Sequence, residues 1–136
     1  KMAPEILLPD TSGNMISLSS LRGMYVLIDF WAAWCPPCRK TNQRLKSIYH
    51  EYKPLGFEIY AISLDRTREQ WLRGIREDEI DWIQVSDLRY WNSPVTTLYN
   101  VDGIPHALLV DPEGRIVSRG LSTGELRQIL EDKLGR

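Results

Sequence analysis

The chain has 136 residues, 43% of them hydrophobic and 26% charged, with a formal net charge of −1. That length suits one domain over residues 1–136 with a core of ordinary size, and the near-balance of charge gives no electrostatic reason to expect nucleic acid or an anionic membrane as partner. No apolar run is long enough to cross a bilayer, and the abrupt start at Lys1-Met2-Ala3-Pro4 leaves room for a leader, a lipid anchor or a preceding domain upstream.

Residues 5–8 and 15–18 are apolar-rich and flank Asp10-Thr11-Ser12-Gly13-Asn14, a turn-favouring cluster, so the pattern predicts a hairpin. A short turn at residues 19–23 leads into Tyr25-Val26-Leu27-Ile28-Asp29-Phe30, which reads as a buried strand. Pro36 and Pro37 then mark a helix start, because proline in the first turn loses no hydrogen bond. The helix is expected to run to about residue 52, since Leu45, Ile48, Tyr49 and Tyr52 fall on one stripe, and Pro54 and Gly56 end it. The apolar run 57–64 completes a strand–helix–strand unit whose crossover demands parallel pairing.

Thr67-Arg68-Glu69-Gln70 has the form of a capping box and opens a helix carrying Trp71, Leu72 and Ile75, followed by a short strand at 82–85. Ser93-Pro94 starts a further helix with Val95, Leu98 and Tyr99. Residues 107–111 and 115–118 read as an antiparallel hairpin around Pro112-Glu113-Gly114. Ser122-Thr123-Gly124-Glu125 forms a second capping box before a helix packed through Leu126, Ile129, Leu130 and Leu134. The fold class is α/β.

The two cysteines, Cys35 and Cys38, lie three apart at the predicted start of the long helix, close enough to cycle between dithiol and disulfide without unfolding anything. A helix N-terminus stabilises an anion, so Cys35 is the expected nucleophile with a lowered pKa. Pro36 and Pro37 have no N–H, leaving the Cys38 amide as the nearest donor to the Cys35 sulfur. Cys38, deeper in the first turn, is the expected buried, resolving thiol. Arg39 and Lys40 add positive charge at positions expected to be exposed and screened.

The segment Asp29-Phe30-Trp31-Ala32-x-Trp34-Cys35-x-Pro37-Cys38 resembles the active-site segment of thioredoxin-like proteins. The entrance, with its Pro9-Asp10-x-x-Gly13 hairpin and Leu18-Ser19-x-Leu21-Arg22-Gly23 turn, and the additional helix and strand at 67–85 are similar to the extracytoplasmic TlpA/ResA-like group. The resemblance implies a thioredoxin-like fold, a central mixed β-sheet flanked by helices, with an N-terminal hairpin and an inserted helix–strand unit. It implies that Asp29, six residues before Cys35, is buried beneath the cysteines as a proton acceptor for Cys38, and that Ile104-Pro105 is a cis-proline loop facing them. Trp34, Pro36, Pro37, Ile104 and Pro105 would meet the substrate; His106 is read either as a residue that tunes the site or, the reading preferred, as an ordinary surface or packing histidine, and Trp31 is expected to pack.

On this reading the chain is a protein-disulfide reductase working as a monomer without cofactor. Its partners would be a protein disulfide substrate and an upstream thiol electron donor, outside the cytoplasm in a bacterial periplasm or anchored facing it, and cytochrome c maturation is one setting in which such relatives reduce. Zinc is disfavoured because His50 and His106 do not complete a four-ligand set with the cysteines. A thiol peroxidase lacks support, since the Pro-x-x-x-Thr-x-x-Cys arrangement is missing around Cys35, and a non-catalytic interaction module would not need Asp29, Trp34 and Pro105 around the pair. Asp65 is a further acid to consider near the cysteines, with Arg66 standing where relatives can carry an acid; Glu77, Asp78 and Glu79 read as a solvated helix end.

Overall fold

The computed structural model describes residues 1–135. Strands β1 (Leu7–Pro9) and β2 (Met15–Ser17) pair antiparallel. The Asp10 carboxylate between them accepts the N–H groups of Ser12 and Asn14 at 2.8 and 2.9 Å, an Asx-type closure. A 3-10 turn at Leu18–Leu21, capped by the Ser17 hydroxyl, delivers the chain to β3 (Tyr25–Trp31). Helix α1 (Pro36–Tyr52) follows, then β4 (Phe57–Ser63), with Gly56 at φ 107° making the left-handed turn between them. Helix α2 (Arg68–Asp78) and strand β5 (Ile83–Val85) come next. The chain ends with α3 (Pro94–Leu98), β6 (His106–Val110), β7 (Ile116–Arg119) and α4 (Thr123–Leu134).

Five strands form one mixed sheet in the order β5-β4-β3-β6-β7. β4 runs parallel to both β3 and β5, whereas β6 is antiparallel to β3 and β7. Strand periodicity divides β3 between two cores. Val26, Ile28 and Phe30 meet the hairpin and α3 through Ile6, Leu8, Val95 and Tyr99. Leu27 and Trp31 point to the other face, where Leu45, Ile48 and Tyr52 of α1, Trp71 of α2 and Leu126 and Leu130 of α4 cover them. Burial on both faces is why β3 and β4 are apolar almost without alternation.

The capping signals resolve differently at the two helices. At α4 the box is complete: Ser122 accepts from the Glu125 amide at 3.1 Å, and Glu125 accepts from the Ser122 amide at 2.7 Å. At α2 the Thr67 hydroxyl accepts from the Gln70 amide, but the Gln70 side chain takes the N–H of Arg66, so only half of the expected box forms. In α3, Val95 is buried, as is Tyr99 just past its end, while Leu98 stands in solvent, because the five-residue helix offers only one side to the sheet.

Helix α2 approaches the end of β3 closely because its buried residue 74 is glycine. A Cβ there would stand 2.7 Å from the Ala33 Cβ and 3.1 Å from the Trp31 ring. Gly74→Ala is therefore expected to lower stability by about 1–3 kcal/mol through overpacking, outweighing the ~1 kcal/mol that alanine gains in helix propensity. Denaturant midpoints check this, and adding Ala33→Gly should restore most of the loss by vacating the clashing methyl.

Candidate active site

Cys35 and Cys38 are joined by a disulfide with their Cα atoms 5.2 Å apart. Cys35 is the N-cap of α1, in extended conformation, and its sulfur accepts the Cys38 N–H at 3.3 Å. The prolines at the next two positions have no N–H, so Cys38 is the first residue of the helix that can donate. Both cysteines are buried, at 5% and 1% exposure. The expected contrast between an open Cys35 and a covered Cys38 is therefore slight, because Cys35 lies against the core at the end of β3. What distinguishes them is position in the first turn.

The segment before Cys35 is held from three sides at Ala33. The Asp65 carboxylate accepts the Ala33 N–H, with distances of 3.0 and 3.2 Å to its two oxygens, and also the Ser63 hydroxyl at 2.6 Å. Arg39 donates to the Ala33 carbonyl at 2.9 Å, and Gly74 lies against the methyl group. Asp65 is fully buried, and burial pushes its pKa up against the pull of these bonds and of Arg39. It thus anchors backbone and does not present a free acid. Arg39 differs from expectation too: it is half-buried and paired with Asp78 at 2.7 Å and Glu77 at 2.9 Å.

Asp78 also accepts from the Asn42 amide at 2.8 Å, so it departs from the solvated helix end expected of the run 77–79, in which Glu77 and Glu79 are exposed as expected. The last turn of α2 packs on the first turns of α1, which buries Asp78 where Arg39 and Asn42 can satisfy it. Trp31 packs as expected, wholly buried, with its indole N–H on Gln84 at 3.0 Å. Trp71 donates to the same oxygen at 3.2 Å, tying α2 and β5 to the end of β3.

Asp29 lies two residues from Leu27 and Trp31 on β3 and therefore on the face that carries Cys38 and Leu45. It is 2% exposed, and its Oδ2 has no hydrogen-bond partner. Burial pushes its pKa up from 3.8 to about 7. Asp29 borders a cavity of ≈ 220 Å³ together with Thr41, Arg44, Pro105, His106 and Ser122.

The Ile104–Pro105 peptide is cis, and the Ile104 carbonyl oxygen lies 3.9 Å from the Cys35 sulfur. His106 pairs with Phe30 in the sheet and packs on its ring, centroids 6.2 Å apart; its Nε2 is buried without a partner. Desolvation, aided by Arg119, lowers its pKa, with Asp102 acting in the opposite sense. Trp34 is 41% exposed, and Pro36, Pro37 and Pro105 are also at the surface. The structure thus gathers Cys35, Cys38, Trp34, Ile104 and Pro105 around one patch, with Asp29 and His106 on the cavity to one side. Sequence reasoning missed Gln84 and the anchoring geometry of Asp65 and Asp78; an acid just past the strand at 57–64, where the resembled group can carry one, is the one signal that pointed toward Asp65. Among the described residues, no three His, Cys, Asp or Glu side chains gather as a metal site.

Residues 1–119 match the AhpC/TSA family. The chain is 31% identical over 115 residues to the thiol-disulfide oxidoreductase ResA of Bacillus subtilis (strain 168), a match covering 85% of this chain and 63% of that protein. Solved structures extend the likeness to nearly the full length. The thioredoxin domain of a thiol-disulfide oxidoreductase from Bacteroides vulgatus is 41% identical with a TM-score of 0.90, covering 98% of this chain and 96% of that one. A thiol-disulfide oxidoreductase from Bacteroides fragilis NCTC 9343 is 36% identical with a TM-score of 0.87, covering 96% of this chain and 100% of that one. With the sheet order, the Cys35–Cys38 pair at the start of α1 and these matches in agreement, the chain belongs to the AhpC/TSA family and has the thioredoxin-like fold.

Proposed function

We propose that this chain is a thiol-disulfide oxidoreductase that reduces disulfides in protein substrates through Cys35 and Cys38. The observation that carries the reading is the redox pair itself, closed as a disulfide at a helix start with the Cys38 amide on the Cys35 sulfur. That N–H and the N-terminal dipole stabilise a Cys35 thiolate once the pair is reduced. The thiolate attacks one sulfur of the substrate disulfide, forming a mixed disulfide and expelling the first substrate thiolate. Cys38 then attacks the Cys35 sulfur, expelling the second. Two electrons pass to the substrate, and the chain keeps the disulfide.

Asp29 serves the second step. It takes the proton of Cys38, because an un-ionised thiol is a poor nucleophile and a carboxyl with pKa about 7 is matched to that transfer near neutrality. Trp34, Pro36, Pro37, Ile104 and Pro105 form the surface that meets the substrate chain, and His106 tunes the site from the cavity side. An upstream thiol donor restores the dithiol. The resemblance to the TlpA/ResA-like group supports a single domain acting outside the cytoplasm, in a periplasm or anchored to a membrane facing it, with cytochrome c maturation as one setting. The family match also raises a thiol peroxidase, but no peroxidatic Pro-x-x-x-Thr-x-x-Cys pattern surrounds Cys35.

An insulin-reduction assay run beside a peroxide-consumption assay tests the reading: turnover in the first and none in the second is expected, and the reverse overturns it. Cys35→Ser should abolish exchange. Cys38→Ser should accumulate a stable mixed disulfide on Cys35, visible on a non-reducing gel as a reductant-sensitive adduct.

For Asp29 the expected signature is kinetic and thermodynamic. Between pH ~4 and ~7 the unfolded carboxyl ionises while the folded one keeps its proton, so stability is full below this window, falls as pH rises through it, and levels off above. The change is on the order of 4 kcal/mol. Asp29→Asn should remove that slope in the oxidised protein, as read from denaturant midpoints across the window, and should slow mixed-disulfide resolution more than initial attack. An unchanged resolution rate together with lower stability at pH 8 would mean that Asp29 is purely structural.

A further inference from the structure

Two non-glycine residues in the connection from β5 to α3 adopt left-handed backbone, Leu88 at φ 58° and Tyr90 at φ 56°. A leucine and a tyrosine are disfavoured there, so the surrounding structure has to impose the conformation. The Ser86 hydroxyl accepts the Leu88 N–H at 3.0 Å and donates to the Ser63 carbonyl at 2.8 Å. The Asp87 carboxylate accepts the Arg89 N–H at 3.1 Å and the Ser93 hydroxyl at 2.7 Å. This framework holds the Tyr90 ring against Trp34, centroids 5.5 Å apart, with the Arg66 guanidinium 4.0 Å over the Tyr90 centroid.

The resulting shelf stands beside the nucleophile. Trp34 is the residue before Cys35, and Arg66 follows Asp65, whose carboxylate holds Ala33. Packing alone does not account for it, since Trp34 and Arg66 remain exposed and Tyr90 is half-buried. Its charge is positive. Among the described residues Arg66 and Arg73 have no ion-pair partner; of the acids of α2, Glu69 and Glu77 are exposed, Glu77 being paired with Arg39, while Asp78 is buried on Arg39, and Asp87 is held by its own loop. Arg73 and Gln70, with the Arg39–Glu77 pair, extend the shelf as a groove of ≈ 240 Å³ along Trp34.

We propose that this shelf is the docking surface for the substrate polypeptide and selects disulfides with an acidic side chain close to the attacked cysteine. The proposal rests on the thiol-disulfide reading above. A guanidinium stacked on a ring keeps its in-plane N–H groups free, and their fork matches a carboxylate. The faces of Trp34 and Tyr90 accept an apolar neighbour of that acid. Because the arginines are exposed, their contribution falls as salt rises.

The test uses the reduced chain and two disulfide-bonded peptides that differ only in carrying glutamate or lysine beside one cysteine, with the neutral hydroxyethyl disulfide as a third substrate. At low salt the wild type should oxidise on the order of tenfold faster with the glutamate peptide, the preference shrinking as salt is raised. Arg66→Glu should abolish or invert that ratio. Tyr90→Gly, which tolerates the left-handed backbone but removes the ring under Arg66, should reduce it. Equal rates for the two peptides with the wild type, or a ratio that survives Arg66→Glu, would overturn the proposal while leaving the redox reading intact. A wild type that reacts with neither peptide nor with hydroxyethyl disulfide would overturn both.

Discussion

The Cys35 sulfur caps α1 by accepting the N–H of Cys38, and this contact depends on what the intervening residues lack. Prolines 36 and 37 cannot donate, so no earlier amide competes for the sulfur, while their fixed φ suits the first helical turn. The same local chemistry that starts the helix therefore sets which of the two sulfurs receives a backbone N–H. The redox site belongs to the secondary structure, and the remainder of the fold must hold this turn still.

That holding is done largely through Ala33. Its amide is fixed by Asp65 beyond the end of β4, its carbonyl by Arg39 of α1, and its methyl by the close approach of α2 at Gly74. Each group comes from a different part of the chain, and Arg39 is itself held by Asp78 at the end of α2. The inserted α2–β5 unit thus does more than extend the sheet. It supplies Gly74, Asp78 and Gln84, which brace the backbone, the arginine and the Trp31 ring around the turn.

Asp29 shows the opposite economy. Every other large side chain that β3 buries is apolar, yet this carboxylate lies on the Cys38 face with one oxygen unpartnered beside a cavity. An unsatisfied buried carboxyl is expensive, and the protein lowers the cost by keeping it protonated up to near pH 7. The stability lost there is what a residue selected for proton transfer would be expected to forgo.

Local pattern was enough to define the elements. Period-two burial, the double proline, the serine cap at 122 and the apolar stripe of α1 each express a preference of a few adjacent residues, and the structure follows them with shifts of a residue or two. The Cys35-x-x-Cys38 spacing likewise carries its redox meaning within one helical turn. Tertiary structure alone decided the partners of charged groups. Asp78 and Glu79 are neighbours in an acidic run, but one is buried on Arg39 and Asn42 and the other is in water, because the choice depends on how α2 lies against α1. The burial of Cys35, the anchoring of Ala33 by Asp65 and the placing of Tyr90 against Trp34 are contacts between residues far apart in the chain. Short-range periodicity records which face of an element is apolar; it holds no record of which distant side chain will stand opposite.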